Sequence, residues 1–376
     1  MDFQLTADQE MLAKTAGAFA KQSSPVTRFR ALRDNAVGYE KSVWRQMGEL
    51  GWLGVAFPES MGGLGGTFVD VALILEKLGA TLVPEPLIPS VVLGGMALRL
   101  AGNAEQHKRW LEPMMEGKTT LALAYAERNS RFDLERIETR AERAGSGYKL
   151  TGQKSFVLNG HAADQVIVSA KGPDGLSLFV IDAGSPGFKA QPIRTLDGQR
   201  AAIVTLEGAT IEAERVLGVP GSSKPVLEHV LDYAAAAACA EGLGICQTVL
   251  ELTVDYLKTR EQFEVKIGTF QALQHRAVEM FVEVELVRSM NILAAASVDH
   301  GNAPERARDI SAAKAHLAAS GKHVTQQAIQ LFGGVGITDE HDIGLYFKRM
   351  HALNTLFGDE EHHLERLASL PTFAAD

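Results

Sequence analysis

Tyr256-Leu-Lys-Thr-Arg-Glu-Gln-Phe-Glu-Val-Lys-Ile-Gly-Thr-Phe-Gln-Ala-Leu-Gln-His275 is the stretch on which the reading of the chain turns. A long helix runs into it from about Leu231. Tyr256 and Arg260 lie four apart and so share a helical face. Val265-Lys-Ile-Gly268 is a poor helix former, and Gly268 allows a sharp turn, so the helix breaks there. Thr269 is read as the cap of a second helix carrying Phe270, Gln271, Gln274 and His275. A cation, two amides and two aromatics thus gather at one helix–turn–helix corner. Arginine offers a fork of donors suited to a phosphate, and phenylalanine a flat apolar wall. That set suits an anionic, planar ligand such as a nucleotide. A solvated corner anchored by a phenylalanine uses the same residues, and the pattern alone leaves both readings open.

The 376 residues are enough to bury a sizeable core in two or three structural units. Apolar content of 46% and charged content of 22% are those of an ordinary globular protein. A net charge of −9 without a long basic run argues against nucleic acid and anionic membrane as partners. Cys239 and Cys246 both fall in an apolar helical stretch, which reads as buried reduced thiols and a reducing compartment. Met1-Asp-Phe-Gln has no basic leader region. No apolar run is read as approaching the roughly 18 residues that span a bilayer. The expectation is a cytoplasmic protein.

Residues 1–117 read as a helical domain. Thr6-Ala-Asp-Gln9 is a capping-box pattern, followed by an apolar stripe at Leu12, Ala16, Phe19 and Ala20. A short helix covers Val43 to Leu50, another Asp70 to Gly79, and a third about Val91–Ala101. Gly62, Gly63, Gly65 and Gly66 suggest a phosphate cradle at first sight. No P-loop Lys-Ser/Thr follows, so a loop passing close to another backbone or a ligand is the better reading. The pattern changes near Thr119. Short β-branched runs at 121–125, 148–151, 154–158, 165–169, 176–181 and 202–206 are separated by Gly, Asp and Pro turns. No helices alternate with them, so residues 118–225 are read as a small antiparallel barrel or sandwich. Residues 226–376 return to helices, over about 270–299, 304–332 and 340–369. Small residues from Ala234 to Ala240 place the long helix that starts near Leu231 at the centre of a bundle. In Gln330-Leu-Phe-Gly-Gly-Val-Gly-Ile-Thr338, Gly333 and Gly334 can end a helix and bare their amides, and Thr338 can cap the next one.

Tyr-x3-Arg-x-Gln-Phe-x3-Ile-Gly-x-Phe-Gln-x3-His resembles the flavin-binding signature of acyl-CoA dehydrogenases. Gln330-x-x-Gly-Gly-x-Gly-x-Thr338, Lys154-x-Phe-Val-x-Asn-Gly160 and Pro58-Glu-x-x-Gly-Gly-x-Gly65 resemble further motifs of that family. The order helical, β, helical is also the family's, so the resemblance covers essentially the whole chain. It implies an α+β fold: an N-terminal helical domain, a middle antiparallel β-barrel or sandwich, and a C-terminal four-helix bundle. Within the family, Glu127-Arg-Asn-Ser-Arg-Phe-Asp-Leu134, Phe347-Lys-Arg349 and Leu356-Phe-Gly-Asp-x-x-His-His-Leu364 are most similar to the small-subunit type of pimeloyl-CoA dehydrogenase.

The resemblance implies α,β-desaturation of an acyl-CoA thioester with FAD as cofactor and an electron-transferring flavoprotein as acceptor. It gives Arg260, Gln262, Phe263, Gln271, Gln330, Gly333, Gly334 and Thr338 to the FAD, typically that of a neighbouring subunit. Phe156 and Leu158 fall where the family usually has Trp-Ile-Thr against the flavin ring. The hydroxyl is lost there. The usual Thr-Glu-Pro-x-x-Gly-Ser-Asp becomes Ala126-Glu-Arg-Asn-Ser-Arg-Phe-Asp133, keeping Glu127, Ser130 and Asp133 but not the glycine. The family's catalytic glutamate aligns with Gly358, or in a second subgroup with Ala234, so neither position holds a carboxylate. Asp359 and Glu241 are the candidate bases, with Asp232 nearby. A helix start that frays could re-aim Asp359. One residue of slip turns a helical side chain by about 100°.

Groups serving the chain's own flavin are therefore worn, whereas those reaching a neighbour's are intact. That contrast points to an α2β2 heterotetramer with a larger catalytic partner. The alternative is a self-sufficient homotetramer with Asp359 or Glu241 as base. More remote are a flavin-free helical scaffold and a di-metal bundle built on Glu360-x-x-His363, which would need a second such pair; no metal site is expected. The acyl group is read as a medium dicarboxylyl or otherwise bulky one.

Overall fold

In the computed structural model, residues 4–300 and 302–371 are described. Met1–Phe3, part of the stretch read as lacking a leader, lie outside them. By contacts the chain falls into two compact units. One comprises Met1–Ala31, Phe68–Val83 and Ala235–Asp376, the other Leu32–Thr67 and Pro84–Ala234.

The first unit is helical. Helix Ala7–Ser23 opens with the capping box read from the sequence: the Gln9 amide donates to Thr6 Oγ1 at 3.2 Å and the Thr6 amide to Gln9 Oε1 at 3.1 Å. Ala16, Phe19 and Ala20 are its buried stripe. Helix Phe68–Gly79 buries Val71, Ile74 and Leu78 as expected, and Leu73 is half-buried. The long helices are Lys224–Thr259 (which belongs to this unit from Ala235 onward), Gln271–His300 and Ala303–Phe332. The segment expected as one helix over 340–369 is two, Ile343–Thr355 and Glu360–Ala368. Phe357 and Gly358 sit between them at φ 61° and 113°, which no helix accommodates.

The run from Ala234 to Ala240 is fully buried, in keeping with a bundle centre. Farther along the same helix, a Cβ on Gly244 would sit 1.9 Å from the Glu76 carbonyl oxygen. A side chain there would push apart helices that meet backbone to backbone. Cys239 and Cys246 are buried and unpaired, and burial pushes both thiols up to about 12. Helix Lys224–Thr259 corrects one expectation: although charges interrupt it, its average hydropathy and length are enough to cross a membrane. Yet 89% of that apolar window is buried, as in the core helix of a globular protein.

The second unit is built on an eight-stranded sheet in the order β6-β7-β3-β2-β4-β5-β8, with β1 beside β4. The strands are β1 (Leu121–Ala124), β2 (Arg140–Ala144), β3 (Gly147–Leu158), β4 (Gln165–Gly172), β5 (Gly175–Asp182), β6 (Phe188–Arg194), β7 (Arg200–Ile211) and β8 (Val216–Leu217). Pairing is antiparallel except β1 with β4 and a single parallel bridge, Arg140 to Lys171. The runs expected as separate strands at 148–151 and 154–158 form one long strand. It carries register shifts at Leu150/Thr151 and Lys154/Val157. Bulges of this kind bend a strand without ending it. Three strands had no sequence signal, β2, β6 and the two-residue β8. β2 buries Ala141 alone, and β6 contains Pro192, which a central strand does not tolerate. Leu150, Val166, Val168, Phe179, Ile181, Val204 and Leu206 form the core.

The glycine loop behaves as the sequence suggested. A Cβ on Gly63 would lie 2.1 Å from the Phe57 carbonyl oxygen, so the loop folds back against its own backbone.

Candidate functional site

The corner around Arg260 is more elaborate than a helix–turn–helix. After Thr259 the chain makes a tight hairpin, Glu261–Gln262 against Val265–Lys266. Its two tip residues, Phe263 and Glu264, both have positive φ, 53° and 64°. Such a turn normally uses Asn-Gly, and Phe-Glu gives no hairpin signal. Each non-glycine residue in this region costs on the order of 1 kcal/mol or more, strain that tends to persist where a site needs it. The result is a Phe263 ring 87% exposed and set edge-on to Phe270, with 6.3 Å between ring centroids. Thr269 does not act as read. Its hydroxyl donates back to the Lys266 carbonyl, and Gln274 donates to the Gly268 carbonyl.

The second motif meets the first through aromatic rings. Tyr256 stacks on Phe332 at 4.3 Å, and Phe332 lies 4.5 Å from His341. Tyr256 is one turn before Arg260, and Phe332 directly precedes Gly333. The sequence motifs name Tyr256 but not Phe332 or His341 as the joint. Gly333 takes φ 63° and ψ −139°, a conformation open to glycine, and nothing lies within 4 Å of where a Cβ would stand on Gly333 or Gly334. Thr338 is not the helix cap expected, because its hydroxyl turns to the Val335 carbonyl and the next helix begins five residues later.

Arg260, Gln262, Gln271, Gln330, Gly333, Gly334 and Thr338 are all exposed. The Arg260 guanidinium has no ion pair or hydrogen bond among the described residues. A free cation, the exposed amides of Gln271 and Gln330, an outward aromatic and bare glycine backbone form a half-site facing outward, while the Gln262 amide donates to the Glu261 carbonyl at 2.8 Å. The donor set fits the phosphate and adenosine portions of a dinucleotide such as FAD. In the β unit, Phe156 sits on the second bulge of β3 at φ 55° and is 44% exposed, with Leu158 half-buried. Arg131, where the family pattern has glycine, is held at φ 47°.

The candidate bases are all committed elsewhere. Glu241 is buried, and the Arg349 guanidinium clamps it through Nε–Oε1 at 2.6 Å and Nη2–Oε2 at 2.8 Å. To take a proton it would have to abandon a buried cation, so its geometry is that of a structural anion. Asp359 is not re-aimed: its Oδ1 caps helix Glu360–Ala368 by accepting from the His362 amide at 3.0 Å. Asp232 and Ala234 are buried.

The turn where the base would sit is held from below. Lys314, fully buried, donates to the carbonyls of Gly358 at 2.9 Å and Asn354 at 3.3 Å. Burial pulls it down to about 8. His363 lies between Ser311 Oγ at 3.2 Å and the Phe357 carbonyl at 3.1 Å. Burial first, and then the Lys314 charge, pull its imidazole down to about 2, so it is neutral. With both nitrogens used, His363 has none left for a metal shared with Glu360. No local pattern announces this clamp, since Lys314 and His363 are 49 residues apart.

At Gly358 a Cβ would stand 2.5 Å from His363 Nε2 and 2.6 Å from His362 Cδ2, with φ at 113°. A glutamate therefore cannot simply be restored. We expect Gly358→Glu to destabilise the protein by about 1–3 kcal/mol and to bring no dehydrogenase turnover. Thermal unfolding and an acyl-CoA assay check both, and an unfolding temperature like the parent's would contradict the packing argument.

Comparison with known proteins agrees with this architecture from end to end. Profiles described as the N-terminal, middle and C-terminal domains of acyl-CoA dehydrogenase match residues 6–118, 122–208 and 225–369. Acyl-CoA dehydrogenase IpdE2 of Mycolicibacterium smegmatis is 31% identical over 364 residues, covering 96% of this chain and 98% of its own. The chain belongs to the acyl-CoA dehydrogenase family. Among solved structures, a chain of the ChsE4-ChsE5 complex from Mycobacterium tuberculosis superposes with a TM-score of 0.91 at 27% identity, with both chains covered completely. A chain of the steroid ACAD Tcur3481-Tcur3483 has a TM-score of 0.88 and 30% identity, with 97% of this chain and 98% of that one covered. As an acyl-CoA dehydrogenase family member the chain is an oxidoreductase acting on CH–CH bonds, and its helical, β, helical order is the family fold.

Proposed function

We propose that this chain is one subunit of an FAD-dependent, α2β2 acyl-CoA dehydrogenase and lends FAD contacts to a catalytic partner. The observation that carries this reading is one contrast. The cofactor-contact residues from Arg260 to Gln271 and from Gln330 to Thr338 are exposed and unengaged by one another, while every carboxylate near the base positions is capped, clamped or buried. FAD, when bound, supplies the hydride acceptor for α,β-desaturation. Arg260 would face a phosphate, Phe263 would cover an apolar ring, and the amides of Gly333 and Gly334 would meet anionic oxygens. The proton next to the thioester carbonyl would be taken by a base of the partner.

One solved neighbour, the ChsE4-ChsE5 complex, supports the hetero-oligomer, and the steroid ACAD supports a bulky, ring-bearing or sterol side-chain acyl-CoA as substrate. An electron-transferring flavoprotein is the acceptor this chemistry needs. The same reading gives a cytoplasmic enzyme of β-oxidation type.

Arg260→Ala in the assembled enzyme tests the reading. Loss of one charge-assisted phosphate contact should weaken FAD binding about 10- to 100-fold. The isolated chain's unfolding temperature should not move, because the guanidinium has no partner among the described residues. Undiminished FAD affinity in the assembly would contradict the assignment.

A further inference from the structure

We propose a phosphate-binding site for the nucleotide tail of a ligand, in an open groove of the β unit of about 790 Å³. Its walls are the loop after β1, the start of β2, the middle of β3 and the end of β4, and the residues the argument uses are Arg128, Arg140, Gly152 and Lys171. Arg140 and Lys171 are register partners on neighbouring strands. Like charges set directly opposite one another destabilise a sheet. Neither has a carboxylate partner: Lys171 donates to the Glu135 carbonyl, and the guanidiniums of Arg128 and Arg140 have no ion pair among the described residues. Glu127 in the groove is already neutralised by Lys154 at 2.6 Å, which leaves Glu138 as the one exposed carboxylate in the lining.

Three cations thus share one concave wall with a deficit of anions. The floor is shaped on purpose. Gly152, paired with Leu206 two residues past the register shift, has φ 154°, and a Cβ there would stand 2.6 Å from Thr139 Oγ1, so any side chain would disturb the groove. A phosphate held by the guanidinium forks and the ammonium would relieve the like-charge strain. The volume exceeds that of a single phosphate and leaves room for a nucleoside. The chemistry is an adenosine phosphate, and two sources carry it: the 3′-phosphorylated ADP of an acyl-CoA, and the ADP half of FAD. The choice between them rests on the function proposed above, whereas the site itself does not.

Isothermal titration of the full chain with adenosine 3′,5′-bisphosphate is the experiment, comparing the parent with Arg140→Gln/Lys171→Gln and, on a separate loop, Arg128→Gln. The parent should bind, increasingly weakly as salt is raised. The double variant should bind at least tenfold more weakly while unfolding at the parent's temperature or higher, since a repulsion has been removed. Equal affinity in parent and variants, or no heat at millimolar ligand, would overturn the site. A preference for the 3′,5′-bisphosphate over 5′-ADP, with FAD retention of the assembled enzyme unchanged in the variants, identifies the thioester's tail. Equal binding of 5′-ADP together with lost FAD identifies the flavin's. Nucleotide binding in a chain that supports no acyl-CoA oxidation with any partner would refute the function and leave the site standing.

Discussion

Glu241→Gln should lower the stability of the protein by about 3–5 kcal/mol, the range for breaking a buried ion pair from one side. The substitution leaves Arg349, 7% exposed, with an amide in place of a carboxylate. The clamp joins helix Lys224–Thr259 to helix Ile343–Thr355, so its loss loosens the packing of the bundle. Denaturant unfolding measures the effect. A catalytic base would behave in the opposite way: Glu241→Gln would keep its stability and lose kcat. Replacing both partners with apolar residues of similar volume should recover much of the lost stability, because the buried charge is then gone from both sides.

Lys154→Met should cost a similar amount, about 3–5 kcal/mol, in the β unit. Lys154 is fully buried on β3. Its ammonium donates to Glu127 Oε1 at 2.6 Å, Ser169 Oγ at 3.0 Å and the Tyr125 carbonyl at 3.4 Å. Glu127 also accepts from the amides of Glu138 and Thr139 and from the Thr139 hydroxyl. The network pins the loop from Glu127 to Thr139, on which Arg128 stands. Burial would raise the Glu127 pKa, but the Lys154 charge and these hydrogen bonds outweigh it and hold the carboxyl below its ordinary value. Burial pushes Lys154 down to about 8, with Glu127 opposing, so both are charged at neutral pH. The sign for Glu127 follows. The unfolded chain takes up a proton near 4.5 and the folded one only lower, so this stabilisation is complete above that pH and is lost as pH falls through the folded value. Melting temperature followed from pH 6 downward should fall, and the fall should be shallower in Glu127→Gln.

Much of the fold was legible because its signals are local. The Thr6 box, the small-residue run at Ala234–Ala240 and the β-branched strands each declare themselves within a few residues. Strand β2 did not, because its charged residues face outward and only Ala141 is buried. The break at Phe357–Gly358 was hidden because the helical pattern resumes on both sides. At the candidate site the sequence pointed to Arg260, Phe263 and Gly333, residue types whose chemistry or backbone freedom is distinctive. It did not show the Tyr256–Phe332–His341 stack, the strained hairpin, or the fates of Glu241 and Asp359. Whether a carboxylate is free depends on its neighbours in space, here Arg349 and the His362 amide, and spacing along the chain does not encode them.

The most direct measurement is the visible spectrum of this chain purified alone, after FAD has been added and the excess removed, with acyl-CoA then introduced without oxygen. A subunit that lends contacts to a partner's site should emerge colourless or far below one flavin per chain, and any residual flavin band should not bleach. A retained flavin at one per subunit that bleaches on adding the thioester would contradict the proposal and show a chain that holds its cofactor and carries its own base.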